Sequence, residues 1–433
     1  MARNICEVEL PLVFPPTFLW GAATAAHQVQ GSPESNWGQW ERSPERKKEL
    51  QDAGKDPNDY ISGNACEFEQ RFSKDFALAR SLGHSANRFS INWATVEPHP
   101  GEFDRAILAR YRRLVRSARR HGLTPIVTLY HWTHPAWFEA MGSWKCDGAP
   151  LLFARFVEEA LKYIGDMVHH YTVLNEPTVY GPLSFLIGCW PPKEKNSQEV
   201  FLKVMDNLAE AHRRAYALIK QCNPHAEVGI AHAVAWEESS DPNIKAEKLR
   251  NNLSWTDTII AQLDFIGLNV YFHEVHEPEG SAYTRLSWTD PCSADAVVSD
   301  FGWGMCPRSL AEVLKEFWHA YKKPLMVTEH GHAVAEMDDR RRCWFLWESL
   351  KWVHQAMQEG IDLRGYLHWS LLDNFEWAEG FTKKFGLIHV DRATQKRTPR
   401  TSAYLLRDII KAGGLTQEIA EKYRTAIRHP NEL

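Results

Sequence analysis

Eight short runs rich in β-branched and aromatic residues recur along the chain, at 18–26, 84–93, 124–132, 169–176, 226–234, 263–272, 324–329 and 363–371. Longer amphipathic stretches separate them, and this alternation constrains the fold more than any other feature. In 151–168, Leu152, Phe156, Ala160, Tyr163 and Met167 fall on one stripe; in 339–359, Cys343, Leu346, Trp347, Leu350, His354 and Met357 do the same, and 104–121 is a third such stretch. Eight strand–helix units predict an α/β fold, a single (β/α)8 TIM barrel over residues 1–433, with no Pro/Ser-rich linker to set off a second domain. The longest intervals between strand starts are the 66, 57 and 61 residues after strands one, four and six, so inserted loops at the C-terminal face are expected there.

In such a barrel the chemistry gathers at the carboxyl ends of the strands. The expected ends are His27-Gln28 for strand one, Asn87, Arg88 or Trp93 for two, His131-Trp132 for three and Asn175-Glu176 for four. His232, Asn269 with Tyr271, Glu329 and Trp369 follow for strands five to eight. Every end carries a polar or aromatic group. Two of them, Leu174-Asn175-Glu176-Pro177 and Val327-Thr328-Glu329-His330, are apolar runs that stop abruptly in a glutamate. A carboxylate at a buried strand end is poorly solvated and points to use. A pair of them is what glycosidic cleavage requires, one protonating the leaving oxygen and one attacking the sugar. Glu176 is assigned the general acid, its pKa raised by the second carboxylate. Glu329 is assigned the nucleophile, with Arg88 and Tyr271 as the cation and hydrogen-bond donor that keep it ionised. A structural ion pair is the alternative for Arg88 taken alone, and a satisfied core or rim histidine is expected for His232.

The run Leu367 to Gly380 begins as a buried strand and continues into a loop bearing Trp369, Glu376, Trp377 and Glu379. Alternating aromatics and carboxylates make an odd solvated surface and a good sugar site: a carboxylate accepts from neighbouring hydroxyls while an indole covers the ring face. The chain holds 18 tryptophans, most of them expected in the core. Loops 31–65, 178–200 and 273–304 are expected to form outer subsites, where Trp190, Trp288 and Trp303 are candidate platforms and equally candidates for loop packing.

A formal charge of −5 and a pI near 6.5 give no footprint for nucleic acid or an anionic membrane. No run of 18 apolar residues occurs, and the segment from Met1 to Glu7 does not read as a signal peptide. The eight cysteines are dispersed without CxxC pairing, so reduced thiols and a cytoplasmic location are expected. His131 with His134, and His330 with His332, lack the spacing of a metal motif; no metal and no cofactor are expected. The expected partner is a small-molecule β-glycoside or oligosaccharide, and the oligomeric state is left open.

Taken together these residues resemble glycoside hydrolase family 1, the retaining β-glucosidases and β-galactosidases. The resemblance runs from Phe18-Leu19-Trp20-Gly21 to Lys396-Arg397-Thr398-Pro399. It implies that Leu174-Asn175-Glu176-Pro177 is the acid/base motif and Thr328-Glu329-His330-Gly331 the nucleophile motif. It further implies that Gln28, His131, Asn175, Trp369, Glu376 and Trp377 grip the non-reducing-end sugar, with Arg88, Asn175 and Tyr271 supporting the glutamates. The implied activity is exo-acting β-glucoside hydrolysis through a covalent glycosyl-enzyme, extending to β-galactosides or β-fucosides. Three positions depart from the family pattern: His330 stands where Asn is usual, Val270 where Tyr is frequent, and Ser143 where Gly is usual. The retained Glu376-Trp377 pair favours non-phosphorylated sugars. Transglycosylation through the same intermediate, and a non-catalytic glycan-binding barrel, are the competing readings.

Overall fold

A computed structural model describes residues 9–276 and 296–432. The reading of the first seven residues, Cys6, Cys292, Trp288 and part of loop 273–304 lie outside them.

The eight expected strands form one closed parallel barrel in sequential order. They are β1 (Leu19–Ala23), β2 (Ala86–Ser90), β3 (Thr124–Tyr130), β4 (His170–Asn175), β5 (Glu227–Glu238), β6 (Ile266–Val275), β7 (Leu325–Glu329) and β8 (Leu363–Trp369). Closure pairs Leu19 with Gly365 and Ala23 with Trp369. Helices cover the barrel after each strand: α1 (Phe68–Ser81), α2 (Arg105–Arg120), α3 (Ala149–Ile164), α4 (Gln198–Cys222), α5 (Pro242–Asp257), α6 (Ser309–Tyr321), α7 (Arg340–Gln358) and α8 (Thr401–Ala412).

The local sequence sets these bounds. In α2 the Asp104 carboxylate accepts from the N–H groups of Ala106 and Ile107, capping the first turn. Leu108, Tyr111, Leu114, Val115 and Ala118 then recur at helical spacing and are buried. Arg119 and Arg120 sit in the last turn, where the helix dipole favours cations, and Gly122 reverses the chain at φ 72°. The stripe expected of α3 is rotated slightly: Phe153, Phe156, Val157, Ala160 and Leu161 face the core, Leu152 is half-buried, and Met167 lies beyond the helix end. In α7, Cys343, Leu346, Trp347 and Leu350 are buried as expected, while His354 and Met357 are only partly covered.

The barrel interior is layered along its axis by the period of two. Ala86, Ile126, Phe265, Met326 and Leu367 form a small apolar cluster of their own, with Leu19 packed against it. Two residues further along the strands come Arg88, Thr128, Thr328 and Trp369, on the same side of the pleat. An apolar layer thus lies beneath a polar one, and the strand-end carboxylates stand above both.

Four details differ from expectation. Strand one stops at Ala23, and His27 and Gln28 lie on a separate short helix, Ala26–Gln30. β5 and β6 run longer, pairing to Glu238 and Val275. His232 therefore sits within β5, buried, with Nε2 3.2 Å from the Asn252 carbonyl. The chain after β8, from Ser370 to Arg400, is a further insertion whose strands Ile388–Val390 and Arg397–Pro399 pair antiparallel. The insertions after β1 and β4 carry helices Asn36–Arg42 and Pro44–Asp52, and Pro177–Phe185. Among the described residues no two of the six cysteines form a disulfide, and no helix is long and apolar enough to cross a membrane.

Candidate active site

The strand ends open into a cavity of about 270 Å³ lined by His131, Trp132, Glu176, Asn269, Tyr271, Glu329, Trp369, Glu376 and Trp377, among others. Both strand-end glutamates reach it.

Glu329 ends β7 and is 4% exposed. Arg88, projecting from β2, donates through Nη1 to its Oε1 at 2.5 Å, and the Tyr271 hydroxyl donates to Oε2 at 2.7 Å. Arg88 is itself aimed: Nε donates to Thr128 Oγ1 at 2.9 Å and Nη2 to Asn175 Oδ1 at 2.6 Å. Thr128 and Thr172 share a further hydrogen bond of 2.7 Å, so the polar layer beneath the site is a support for one guanidinium. Burial pushes the Glu329 carboxyl above its ordinary value, while the charge of Arg88 and the Tyr271 hydrogen bond oppose it.

Glu176 follows the last residue of β4 and caps helix Pro177–Phe185 in the left-handed region, φ 44° and ψ 58°. Its N–H donates to Ala231 O at 2.8 Å, which holds a conformation that costs about 1–3 kcal/mol for a residue with a side chain. Trp132 (φ 67°) and Trp377 (φ 49°) share that region, so three cavity residues are held in strained backbone. Asn269 Nδ2 donates to Glu176 Oε1 at 2.6 Å, and among the described residues no cation forms a salt bridge with this carboxyl. Burial, and then the charge of Glu329, push it up to about 8 against Asn269 and Arg88. One carboxyl of the pair therefore holds a salt bridge, and the other holds the proton.

Of the residues expected to grip a sugar, His131, Trp369, Glu376 and Trp377 line the same cavity, while Gln28 and Asn175 do not line it and instead touch its lining residues Glu376 and Asn269. Gln28, on its short helix, donates through Nε2 to the Phe375 carbonyl at 2.9 Å and to Glu376 Oε2 at 3.3 Å. The His131 ring lies near-parallel to Trp369 and Trp377, at 6.1 and 5.8 Å between centroids. Burial, then Arg88, hold it well below the usual histidine range, so it is neutral. Trp377 also stacks on His27 and packs against Trp37 and Trp132. Glu376 is partly open to the cavity, and burial, with Glu329 and Glu176 next, raises its carboxyl to about 8. Gln28 Oε1, His131 Nδ1 and Asn175 Nδ2 are buried with no hydrogen-bond partner among the described residues.

Other expectations resolve differently. Trp93 packs among Phe138, Phe153 and Phe156, away from the cavity. Asp373, in the same run as Glu376, is locked by Arg400 through two hydrogen bonds of 3.0 and 2.9 Å and holds the loop instead. His330 is buried against Phe345 and its Nδ1 lies 3.0 Å from the Tyr366 hydroxyl. Trp190 and Trp303 both line the cavity, joined by Val179, Leu183, Ala233, Phe272, Phe301 and Phe385. None of these six was singled out in the sequence, where one apolar residue of a strand, helix or loop resembles any other. Also unforeseen was Glu41, whose Oε1 lies 2.6 Å from His27 Nε2.

Among the described residues, two groups bring three metal-capable atoms within 4.8 Å: His169, His170 and Glu227, and Glu237, Glu274 and His276. Neither includes a cavity-lining residue.

The family model for glycosyl hydrolase family 1 matches residues 11–257 and 246–415. The chain is 29% identical to β-glucosidase A of Acetivibrio thermocellus, over 93% of this chain and 99% of that protein. It is likewise 29% identical to a β-galactosidase of Saccharolobus solfataricus, over 94% and 96%. Among solved structures it is similar to the β-glucosidase from Thermotoga maritima in complex with noeuromycin, with a TM-score of 0.82 at 28% identity, covering 94% of this chain and all of the other. The β-glycosidase BGL167 is similar at a TM-score of 0.78 and 31% identity, covering 93% and 98%.

Proposed function

The chain belongs to glycosyl hydrolase family 1, and from that membership we propose that its barrel mouth releases one β-linked glucose from the non-reducing end of a glycoside, with Glu176 as acid/base and Glu329 as nucleophile. The enzyme is a retaining exo-β-glycosidase working by double displacement. The observation that carries the assignment is the asymmetry of the pair: Glu329 is held by Arg88 and Tyr271, while Glu176, paired with no cation among the described residues, is raised to about 8.

In the first half-reaction Glu329 Oε attacks the anomeric carbon as Glu176 gives its proton to the leaving oxygen, and the aglycone departs as an alcohol. The charge of Glu329 disappears into the ester. With it goes the second largest cause holding Glu176 protonated, so the same group, now ionised, takes a proton from water in the second half-reaction. Water attacks, the ester breaks, and the sugar leaves with its configuration kept.

The binding residues follow from what is left unpaired. Gln28 Oε1, Asn175 Nδ2 and His131 Nδ1 each cost about 1–3 kcal/mol as buried groups without partners, and sugar hydroxyls supply those partners. Glu376, protonated below about 8, accepts from one sugar hydroxyl and donates to another, while Trp369 and Trp377 cover apolar ring faces. A 6-phosphate beside Glu376 would meet a carboxyl in place of a cation, which favours the unmodified sugar.

The test is the initial rate of nitrophenol release from an aryl β-glucoside, with the galactoside and the 6-phosphoglucoside alongside. Release from the glucoside that vanishes in Glu329→Ala is expected. Undiminished release in that variant would remove Glu329 from the mechanism.

A further inference from the structure

Donor atoms gather a second time at the opposite end of the barrel. His170 opens β4 and Glu227 opens β5, and the two are partners in the register of these adjacent parallel strands. His169 precedes them, its carbonyl accepting from the Glu227 N–H at 2.7 Å. The sheet therefore fixes all three backbones before any ligand arrives. One donor atom from each side chain lies within 4.8 Å of the other two. His170 Nδ1 and Glu227 Oε2 are 3.3 Å apart, yet Nδ1 is buried with no hydrogen-bond partner among the described residues. Sequence spacing did not mark this group, because Glu227 joins the two histidines only through the pairing of β4 with β5.

We propose that His169, His170 and Glu227 bind a divalent transition ion of the zinc type, which clips β4 to β5 at the amino ends of the strands. A separation of 3.3 Å is the edge of a tetrahedron whose centre stands about 2.0 Å from each corner, the length of a zinc–nitrogen or zinc–oxygen bond. Two imidazoles and a carboxylate are donors that such an ion takes, with water at the fourth position. His169 is exposed and lines an open groove with Asn223, so the ion enters from solvent. Burial, then the charge of the His170 ring, hold His169 below its ordinary value, so its ring nitrogen is free to bind metal at neutral pH. The other Glu227 oxygen accepts from Arg364 at 2.8 Å, the outer hydrogen bond that orients a ligating carboxylate. Lys220, whose charge also reaches His169, is taken up by Asp264 at 2.7 Å and by the Ala226 carbonyl at 2.6 Å. The length of β4 separates His170 from Glu176 by about 20 Å, so the ion stabilises the barrel and takes no part in the reaction.

The test is titration of the full chain, stripped with chelator, with cobalt(II), followed by displacement with zinc. The intense visible bands of a tetrahedral ion are expected to saturate at one equivalent and to disappear as zinc replaces cobalt. His169→Ala, and separately Glu227→Gln, are expected to weaken binding at least about tenfold, while His276→Ala, in the other three-donor group, keeps it. Because His169 is exposed, its replacement reports on the ion with the fold intact. Saturating zinc is expected to raise the melting temperature by about 2–4 °C in the intact chain and in His276→Ala, and to leave His169→Ala unmoved. No binding, or the weak bands of a hydrated octahedral ion, would overturn the proposal and leave an ion pair between His170 and Glu227. Tetrahedral bands that survive both His169→Ala and Glu227→Gln, or that vanish in His276→Ala alone, would overturn it by placing the ion elsewhere.

Discussion

At the scale of single residues the site is a problem of where one proton sits. Of the four glutamates that line the cavity, Arg88 pairs with Glu329, and that decides between it and Glu176. Replacing Glu176 by Ala is expected to slow alkyl glucosides by about 10²–10⁴ and to spare glycosylation by aryl glucosides with good leaving groups. Steady-state rates with and without azide check this: azide restores turnover because it needs no base. The basic limb of kcat/KM should report Glu176 near 8. In Glu329→Gln that carboxyl should titrate lower, because the charge that raised it is gone, and carbon NMR of labelled glutamate reads the change. Stability follows the same groups. Glu176 and Glu376 lie at about 8 folded against an ordinary value of 4.5, so between those values the folded chain holds protons that the unfolded chain has released. Their contribution is fully present below 4.5 and is lost as pH rises through about 8. Melting temperature should therefore fall over that window, less steeply in Glu376→Gln.

At the scale of elements, the two glutamates were legible because β-branched runs ending in a carboxylate are unusual in one dimension. Arg88 was legible as a strand end, but its supports were not. Thr128 and Thr172 meet it only through the parallel register of β2, β3 and β4. His27 and Gln28 read as the end of strand one because the apolar run continues to Ala26. The chain instead leaves the sheet after Ala23, and the Ala26 N–H bonds to the Ser90 hydroxyl. Asp373 and Glu376 were inseparable in sequence, three residues apart in one aromatic loop. Arg400, 27 residues on, takes Asp373 away from the cavity. Breaking that buried pair with Asp373→Ala is expected to cost about 3–5 kcal/mol, since it strands a buried guanidinium, and chemical denaturation measures it. The junction of β7 and β8 is as tight. A side chain at Gly331 would place its Cβ 2.3 Å from the Trp369 carbonyl oxygen. Gly331→Ala should therefore displace Trp369 and raise KM more than it lowers stability, a split that kinetics and thermal melting on the same sample resolve.

At the scale of the whole molecule, the barrel was legible as eight repeated units, and the insertions after strands one and four as long intervals between them. The insertion after strand eight was hidden because no ninth strand followed to expose the interval. The barrel sets the chemistry by layering: an apolar floor excludes water, a threonine layer aims one arginine, and carboxylates above receive the sugar. That architecture predicts carboxyl groups about 5 Å apart, the separation for retention, where about 6.5–9.5 Å would mean inversion. Proton NMR of the first product from an aryl β-glucoside should accordingly show the β anomer before mutarotation.

The most direct test is to trap the covalent intermediate with a 2-deoxy-2-fluoro β-glucoside carrying a good leaving group, then digest the protein and weigh its peptides. The account predicts stoichiometric loss of activity with one added fluoroglucosyl mass, on the peptide holding Thr328-Glu329-His330. A label on any other residue, or rapid turnover of substrates with no label at all, would contradict it.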